Sequence, residues 1–424
     1  MTERLLQFIW QFQYFNKKQL TTTEGEPLTI LQPGTYNTDQ GPDFLQAKVR
    51  VGNVAWAGNI ELHLFSSHWN THGHTSDKQY GNVILHVVWQ HDVAVHNCKG
   101  ITLHTLELQP LVSVLLLQHY SNLMASHDFV PCMPQLPVLS GIGWLSWKER
   151  LMAERLERKA GYVLTLLQQA NNHWEEVFWW MLARNFGAKL NMDLFEEMAR
   201  SIPVTTLAKQ KGQIHQLEAI IFGQLHLLDA DYTDDYAVLL TKEYNFLRKK
   251  YQFKPVAQQP VFLRMRPANF PTVRAAQLAM LVQQSSHLFS LIKETEDLED
   301  IQKLFNVTAN DYWHYHYQFD EECTCHPKKL GVSMVNNIVI NTLVPVLFAC
   351  GMFTKDQSLK DRALLWLALT NPEQNIITKQ WKACDVFNQN ALDSQALLEL
   401  KNNYCDQKRC LDCAIGNKLL RRES

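Results

Sequence analysis

The sequence predicts an α/β domain over residues 1–130, followed by a large all-α domain over residues 138–424. Three observations lead to this fold class. Alternating and short continuous apolar runs, typical of strands, characterise the first part, and few strand signals follow them. Prolines cluster at Pro131, Pro134 and Pro137, which indicates a linker. Beyond them the apolar residues recur at helical spacing. At 424 residues the chain is also too long for one ordinary core.

The composition narrows the class of protein. With 46% hydrophobic and 19% charged residues and a net charge of −2, the chain should fold throughout and has no global attraction to nucleic acid. Nine cysteines, an odd number, do not indicate a secreted disulfide scaffold. The first residues lack the features of a signal peptide, and the apolar run Ile338 to Cys350 is too short for a membrane span. We therefore expect a cytoplasmic protein that does not contact a membrane.

The elements of the first domain follow from period and turn signals. The pair Gly52-Asn53 favours the positive φ angles of a tight hairpin between two alternating runs. In chain order we predict an amphipathic helix over residues 3–16 and strands over residues 28–31, 48–51, 54–57, 60–64 and 83–89. In the second domain, helical periodicity covers residues 144–169, 174–184, 190–200, 214–228, 236–251, 273–294 and 297–305.

An acidic pair marks the predicted hairpin. Residues two apart on a strand share a face, so Glu61 and His63 point together. In a regular hairpin without a bulge, Asp43 would lie on the opposite face of the sheet from Glu61 and His63. A bulge at Ala57-Gly58 would correct this and put Asp43 opposite His63. Two carboxylates on one face can hold a divalent cation for phosphodiester cleavage, so Asp43, Glu61 and His63 are the predicted catalytic residues.

These residues resemble a known pattern. Pro42-Asp43 followed by Glu61-x-His63 resembles the core of the PD-(D/E)xK nuclease superfamily, with His63 in the place of the usual lysine. The resemblance implies a restriction-endonuclease-like αβββαβ fold with Mg²⁺ or Mn²⁺ bound by Asp43 and Glu61. It also implies that Glu26 could be the additional acidic residue that some members of the superfamily carry. Lys48 cannot take the place of that lysine, because side chains alternate along a strand and Lys48 therefore points to the opposite face of the sheet.

A histidine-rich loop follows Glu61. His68, His72, His74 and Asp77 lie close together in sequence, and His72-x-His74 with His63 or His68 could bind zinc. The alternative is a loop in which these side chains pack together or contact substrate phosphate. No HExxH spacing is present, which disfavours a zinc protease.

Two further groups lie in the second domain. Cys405, Cys410 and Cys413 have spacing suited to zinc or an iron–sulfur cluster. The fourth ligand is left open, and the candidates are Cys323, Cys325, His326, Cys350 and Cys384. Arg264, Arg266 and Arg274 precede or begin a helix and are candidate phosphate contacts, or else bridge to carboxylates.

The whole chain also resembles a bacterial family described only as a domain of unknown function. The stretches RPANFPTVRAAQLA, INTLVPVLF and YCDQKRCLDCAIG carry that resemblance. The residues favour a metal-dependent nuclease that cleaves DNA or RNA. The alternatives are a non-catalytic nucleic-acid-binding or scaffold protein that keeps the nuclease fold, and a zinc-dependent hydrolase that uses the histidine loop.

Overall fold

A computed structural model describes residues 1–136, 138–285 and 287–421 of the chain. Their contacts divide it into two compact units. The first combines residues 1–144 with the chain from residue 400 onward, and the second comprises residues 145–399. The sequence placed the boundary at the proline cluster, of which Pro137 lies outside the described residues. The observed division falls a few residues later, at Trp144.

The first unit is a mixed α/β structure around one sheet. Its elements are α1 (Glu3–Phe12), β1 (Leu28–Gln32), β2 (Thr35–Tyr36), β3 (Phe44–Val51), β4 (Val54–Phe65), α2 (His68–Thr71), β5 (Val83–Gln90), β6 (Thr105–Glu107) and α3 (Val114–Ala125). The sheet has the order β1-β3-β4-β5-β6, with β2 paired to β3. Strands β1, β3 and β4 pair antiparallel, whereas β4, β5 and β6 run parallel.

The predicted hairpin is present between β3 and β4. Val51 pairs with Val54 around the turn, and Gly52 has a φ of 57°, which only glycine adopts at little cost. Burial alternates along β3, with Val49 and Val51 inside and Lys48 and Arg50 outside. The two strands predicted over residues 54–64 form one continuous strand.

Glycine also allows β4 and β5 to approach closely. A Cβ added at Gly58 would lie 2.4 Å from the carbonyl oxygen of Asn82, a distance that no side chain tolerates. Strand β5 is buried along nearly its whole length, as its continuous apolar sequence predicts. Helix α1 contacts β4 and buries Leu5 and Ile9, while Thr2 caps its N-terminus by accepting a hydrogen bond from Leu5 N at 3.2 Å.

The second unit is mostly helical. Its helices are α4 (Gly141–Gln169), which begins just before the unit, α5 (Trp174–Phe186), α6 (Ala188–Ser201), α7 (Val204–Gln210), α8 (Ile214–Gln224), α9 (Asp235–Tyr251), α10 (Pro271–Gln284), α11 (Leu288–Glu294), α12 (Leu298–Leu304), α13 (Val332–Ile338), α14 (Val344–Thr354), α15 (Gln357–Leu369), α16 (Ile376–Ala383) and α17 (Ala391–Glu399). A short ribbon, β7 (His316–Gln318) with β8 (Glu321–Glu322), departs from the all-α prediction.

One helical stretch is long and apolar enough to span a membrane. It runs from Val332 to Thr354 through a π-helical segment, and 67% of its most apolar window is buried inside the protein. A buried core helix can have the same length and apolar composition as a membrane span. The sequence predicted a buried core helix here. Cytoplasmic location stays a prediction.

The end of the chain joins the first unit. A π-helical segment, Leu400–Cys405, leads to α18 (Ala414–Arg421). The Tyr14 hydroxyl donates to Asn417 Oδ1 at 2.8 Å, Arg4 pairs with Asp412 at 2.5 Å, and Lys408 donates to the Met124 carbonyl. The sequence assigned this tail to the helical domain because periodicity along the chain carries no information about such long-range contacts.

Candidate metal centre

A bulge brings Asp43 and Glu61 onto the same face of the β3–β4 hairpin. Ala47 pairs with Gly58, but Phe44 pairs with Ile60, so β3 contains one extra residue in between. Gln46, at a φ of 58°, is where the backbone departs from the strand. The prediction of a bulge in β4 at Ala57-Gly58 was therefore wrong in its location. Placing the extra residue in β3 puts Asp43 opposite Glu61 instead of His63.

Asp43 is partly buried, and neutral donors hold its carboxylate. Its Oδ2 accepts a hydrogen bond from Leu62 N at 3.0 Å, and its Oδ1 accepts one from Gln7 Nε2 of α1 at 2.7 Å. Its own N–H donates to Glu61 Oε2 at 3.1 Å. Burial, followed by the neighbouring Glu61 carboxylate, raises the pKa of Asp43 to about 7. A nearby cation would act in the opposite direction and lower this pKa.

Three histidines converge beside Glu61. Ring nitrogens of His63, His72 and His74 lie within 4.8 Å of one another. Glu61 Oε1 is 3.6 Å from His63 Nε2 and 3.5 Å from His74 Nε2. His68 lies at the edge of the cluster, with its ring centroid 6.1 Å from that of His63. The loop that carries His68, His72 and His74 thus folds back over the end of β4.

The histidine rings suit a metal ion. His74 is buried, and neither of its ring nitrogens has a hydrogen-bond partner among the described residues. Such orphaned nitrogens are costly unless a ligand binds them. Burial, followed by the adjacent His86, lowers the pKa of His63 to about 2, so its ring stays neutral and can coordinate. Three imidazoles with a carboxylate form a donor set that transition metals prefer.

Two supporting residues around the centre were not predicted as site residues. His86 Nε2 lies 2.8 Å from His63 Nδ1, which leaves His63 Nε2 to face Glu61 and His72. A histidine inside the otherwise apolar run of β5 was the available signal. Glu3 of α1 is the second: burial raises its pKa, and the charges of His72 and Glu61 act on it. Nothing in the local sequence links Glu3 to the hairpin.

The structure places other predicted residues elsewhere. Asp77 caps a turn by accepting a hydrogen bond from Gln79 N at 2.8 Å, which is a structural role. Glu26 lies with Glu24 and His104 in a separate group that could also hold a metal, and its carboxylate is 3.2 Å from His104. Both acidic residues of that group are exposed.

The three predicted phosphate contacts separate within the helical unit. Arg264 and Arg266 are exposed. Arg274 is partly buried, and it donates to Asn269 Oδ1 at 2.6 Å and to Gln277 Oε1 at 2.9 Å. The predicted bridge to carboxylates is thus replaced, at Arg274, by contacts with neutral amides.

The cysteines of the tail meet a fourth cysteine of the first unit. Burial raises the pKa of the Cys405 thiol, and the thiols of Cys413, Cys132 and Cys410 act on it in the same direction. Cys132, Cys410 and Cys413 are buried. Cys132 was absent from the predicted fourth ligands, because it is distant in sequence and stands alone. Those candidates, from Cys323 to Cys384, all lie in the other unit.

Fold and site define a two-unit protein whose α/β part carries a carboxylate–histidine cluster suited to metal. The chain belongs to the family described as protein of unknown function (DUF2851), whose model matches residues 3–376. That match supports the resemblance carried by RPANFPTVRAAQLA and INTLVPVLF, and it ends before the cysteine tail. No curated protein and no solved structure matches the chain.

Proposed function

We propose that the chain is a metal-dependent hydrolase of nucleic-acid phosphodiester bonds, with its metal centre at Glu61, His63, His72 and His74. The observation that carries the proposal is the convergence of three histidine rings with Glu61 Oε1 at 3.5–3.6 Å from two of them. The orphaned nitrogens of His74 support it, because a bound cation would satisfy one of them.

The fold supports the choice of phosphodiesters. An antiparallel hairpin that carries the acids, followed by a parallel strand β5, matches the order of the PD-(D/E)xK core that the sequence resembles. In that reading Asp43 and Glu61 stand at the acidic positions. The connection from β4 to β5 contains the four-residue helix α2 and a short 3-10 helix at Lys78–Tyr80, so most of the usual crossover helix is replaced by the histidine loop.

The ligands at the centre indicate which cation it would bind. Mg²⁺ prefers oxygen ligands, whereas imidazole suits zinc and other transition metals. The histidines therefore favour Zn²⁺ or a first-row transition metal, Mn²⁺ included, over Mg²⁺. When bound, such a cation lowers the pKa of a coordinated water and stabilises charge on a phosphoryl oxygen.

The chain's own residues would position the reactants. The Glu61 carboxylate accepts a hydrogen bond from the Asp43 N–H, and the Gln7 side chain donates one to the Asp43 carboxylate. These two contacts hold Asp43 in place. Without a cation the pKa of Asp43 is raised to about 7. A bound cation would lower that pKa, so the ionised Asp43 carboxylate could accept a proton beside the centre. His86 holds the ring of His63 through Nδ1.

A second candidate uses the same centre on another substrate. Three histidines and a carboxylate also suit a zinc-dependent hydrolase outside nucleic-acid chemistry. The convergence of His63, His72 and His74 is the specific observation that favours it. The two candidates differ in substrate, so substrate profiling separates them. A non-catalytic nucleic-acid-binding protein would bind DNA or RNA and cleave neither.

The test is cleavage of labelled DNA and RNA by the full-length protein with Mg²⁺, Mn²⁺ or Zn²⁺. We expect activity with a transition metal, and its loss in Glu61→Gln, which keeps an acceptor for the Asp43 N–H. Glu107→Gln is the matched control, since Glu107 lies on β6 of the same sheet and belongs to neither group that could hold a metal. Equal cleavage by wild type and Glu61→Gln would refute the proposal.

We also propose that Cys132, Cys405, Cys410 and Cys413 hold an iron–sulfur cluster. A single zinc ion, with Zn–S bonds of about 2.3 Å, needs sulfur atoms about 3.8 Å apart. Among the described residues, no three of these sulfurs lie within 4.8 Å of one another. A cluster separates its cysteines more widely. The amides of Ile415 and Gly416 hydrogen-bond to Cys413 and would stabilise its thiolate.

Anaerobic purification tests the cysteine site. We expect iron and sulfide in the wild-type protein, with a visible charge-transfer absorbance, and their loss in Cys132→Ser. Cys98→Ser is the matched control, because Cys98 is exposed and belongs to the same unit. Iron retained in full by Cys132→Ser would rule out Cys132 as the fourth ligand.

A further inference from the structure

The helical unit contains a large cationic cavity. It has a volume of about 1010 Å³, large enough for a nucleotide-sized ligand. Lysines and arginines from several segments line it, and none of its described lining residues is an aspartate or glutamate. Two of the arginines are neutralised from outside the lining. Arg158 pairs with Glu399 at 2.5 Å, and Arg184 pairs with Glu196 at 2.8 Å.

Among the described residues, three other cations of the lining form hydrogen bonds only with neutral groups. Lys159 of α4 donates to Asn341 Oδ1 at 2.7 Å, and Arg274 of α10 donates to two amide oxygens. Lys328, only 4% exposed, lies 3.5 Å from the His314 carbonyl oxygen and 3.7 Å from the centre of the Tyr317 ring. In the described part of the chain, no carboxylate lies within 4.0 Å of these three cations.

Glu373 and Glu399 act on Lys159 only from a longer distance, and a partly or fully buried cation without a close counterion is costly to the fold. Burial lowers the pKa of Arg274 to about 10 and that of Lys159 well below its usual value. The Nε of Arg274 is also buried and has no hydrogen-bond partner in the described part of the chain. Three such groups, from segments far apart in sequence, face one cavity. An anionic ligand would offset the cost of all three at once.

The neutral lining indicates what else the ligand carries. Tyr162 and Tyr317 offer aromatic surface, Met181 and Met334 apolar surface, and Asn337 an amide. Arginine forms paired hydrogen bonds with phosphate oxygens, and Arg274 stands in the first turn of α10, where the helix dipole also favours an anion. A phosphorylated ligand with a flat organic body satisfies both kinds of surface.

We propose that this cavity binds a nucleotide, with its phosphates at Lys159, Arg274 and Lys328. The site lies entirely in the helical unit and is independent of the metal centre proposed above. It depends on neither Glu61 nor the histidines, so either proposal can fail alone.

The test is calorimetric titration of the full-length protein with ATP, GTP, CTP and UTP, and with adenosine and pyrophosphate as partial ligands. We expect saturable binding of at least one nucleoside triphosphate below about 1 mM, no binding of adenosine, and weaker binding of pyrophosphate. Arg274→Met should weaken binding about 10- to 100-fold, as expected for lost charged hydrogen bonds. Arg266→Met is the matched control, since Arg266 is exposed outside the cavity.

A second variant covers the case in which Arg274→Met does not fold. Lys159→Met lies on a different helix and should weaken binding in the same way. The proposal is overturned if no nucleotide binds below about 1 mM, or if both folded variants bind as tightly as wild type. Pyrophosphate that binds as tightly as the nucleotides would also overturn it, because the organic body would then contribute nothing.

Discussion

Replacing His74 by leucine should stabilise the metal-free protein. His74 is 8% exposed, and among the described residues neither ring nitrogen has a hydrogen-bond partner, the Glu61 Oε1 atom lying 3.5 Å from Nε2. A buried polar group without a partner costs about 1–3 kcal/mol. The ring also stacks on Tyr80 with centroids 3.7 Å apart, and losing that stacking costs about 0.5–1.5 kcal/mol. Leucine is of similar size, so we expect a net gain of about 1 kcal/mol in the free energy of unfolding.

The same change should remove the benefit of metal. A metal that binds only the folded state stabilises it by an amount that grows with the ratio of its concentration to its dissociation constant. Urea unfolding should therefore show His74→Leu to be more stable than wild type in EDTA, and less stabilised by Zn²⁺ or Mn²⁺.

His72→Leu is the matched control for the stability effect. The His72 ring is exposed and also belongs to the cluster. It should lose metal stabilisation without gaining stability in EDTA. A His74→Leu protein that is destabilised by more than about 1 kcal/mol in EDTA would refute the reasoning, because His74 would then have partners in the metal-free fold.

Two further predictions concern stability alone. Burial raises the pKa of Glu218 from 4.5 to about 8 despite three hydrogen-bond donors, so the folded protein keeps a proton that the unfolded chain loses above pH 4.5. The free energy of unfolding should then fall as pH rises from 4.5 to 8, by at most about 1.4 kcal/mol per pH unit. Urea titrations of Glu218→Gln should no longer show this dependence on pH. If the dependence persists in the variant, groups other than Glu218 cause it. Gly58→Ala should cost about 1–3 kcal/mol or more, because its Cβ would lie 2.4 Å from Asn82 O, and a variant as stable as wild type by urea unfolding would contradict that close approach.

Local signals predicted the hairpin and the residues of its acidic face. Gly52-Asn53 and the alternation of β3 were sufficient for the turn and the strands. The need for a bulge also followed from parity, but its position did not. Gln46 adopts a positive φ that its sequence does not favour, so the location in β3 depends on tertiary contacts.

The residues that meet at each site come from segments far apart in the chain, and local sequence patterns do not show which of them lie close together. Cys132 approaches the tail because the chain end folds back on the first unit. The cavity cations Lys159, Arg274 and Lys328 come from three separate segments, and only Arg274 carried a local signal. Periodicity assigns a residue to a face of its own helix but not to a neighbour in another helix.

The proposal of a metal-dependent phosphodiesterase is tested most directly by one comparison. Wild type and Glu61→Gln, both shown to be folded, are incubated with labelled single- and double-stranded DNA and with RNA in Mg²⁺, Mn²⁺ or Zn²⁺. We predict cleavage by wild type that depends on a transition metal, disappears with EDTA and is absent in Glu61→Gln. Intact substrates under every metal, or equal cleavage by both proteins, would contradict it.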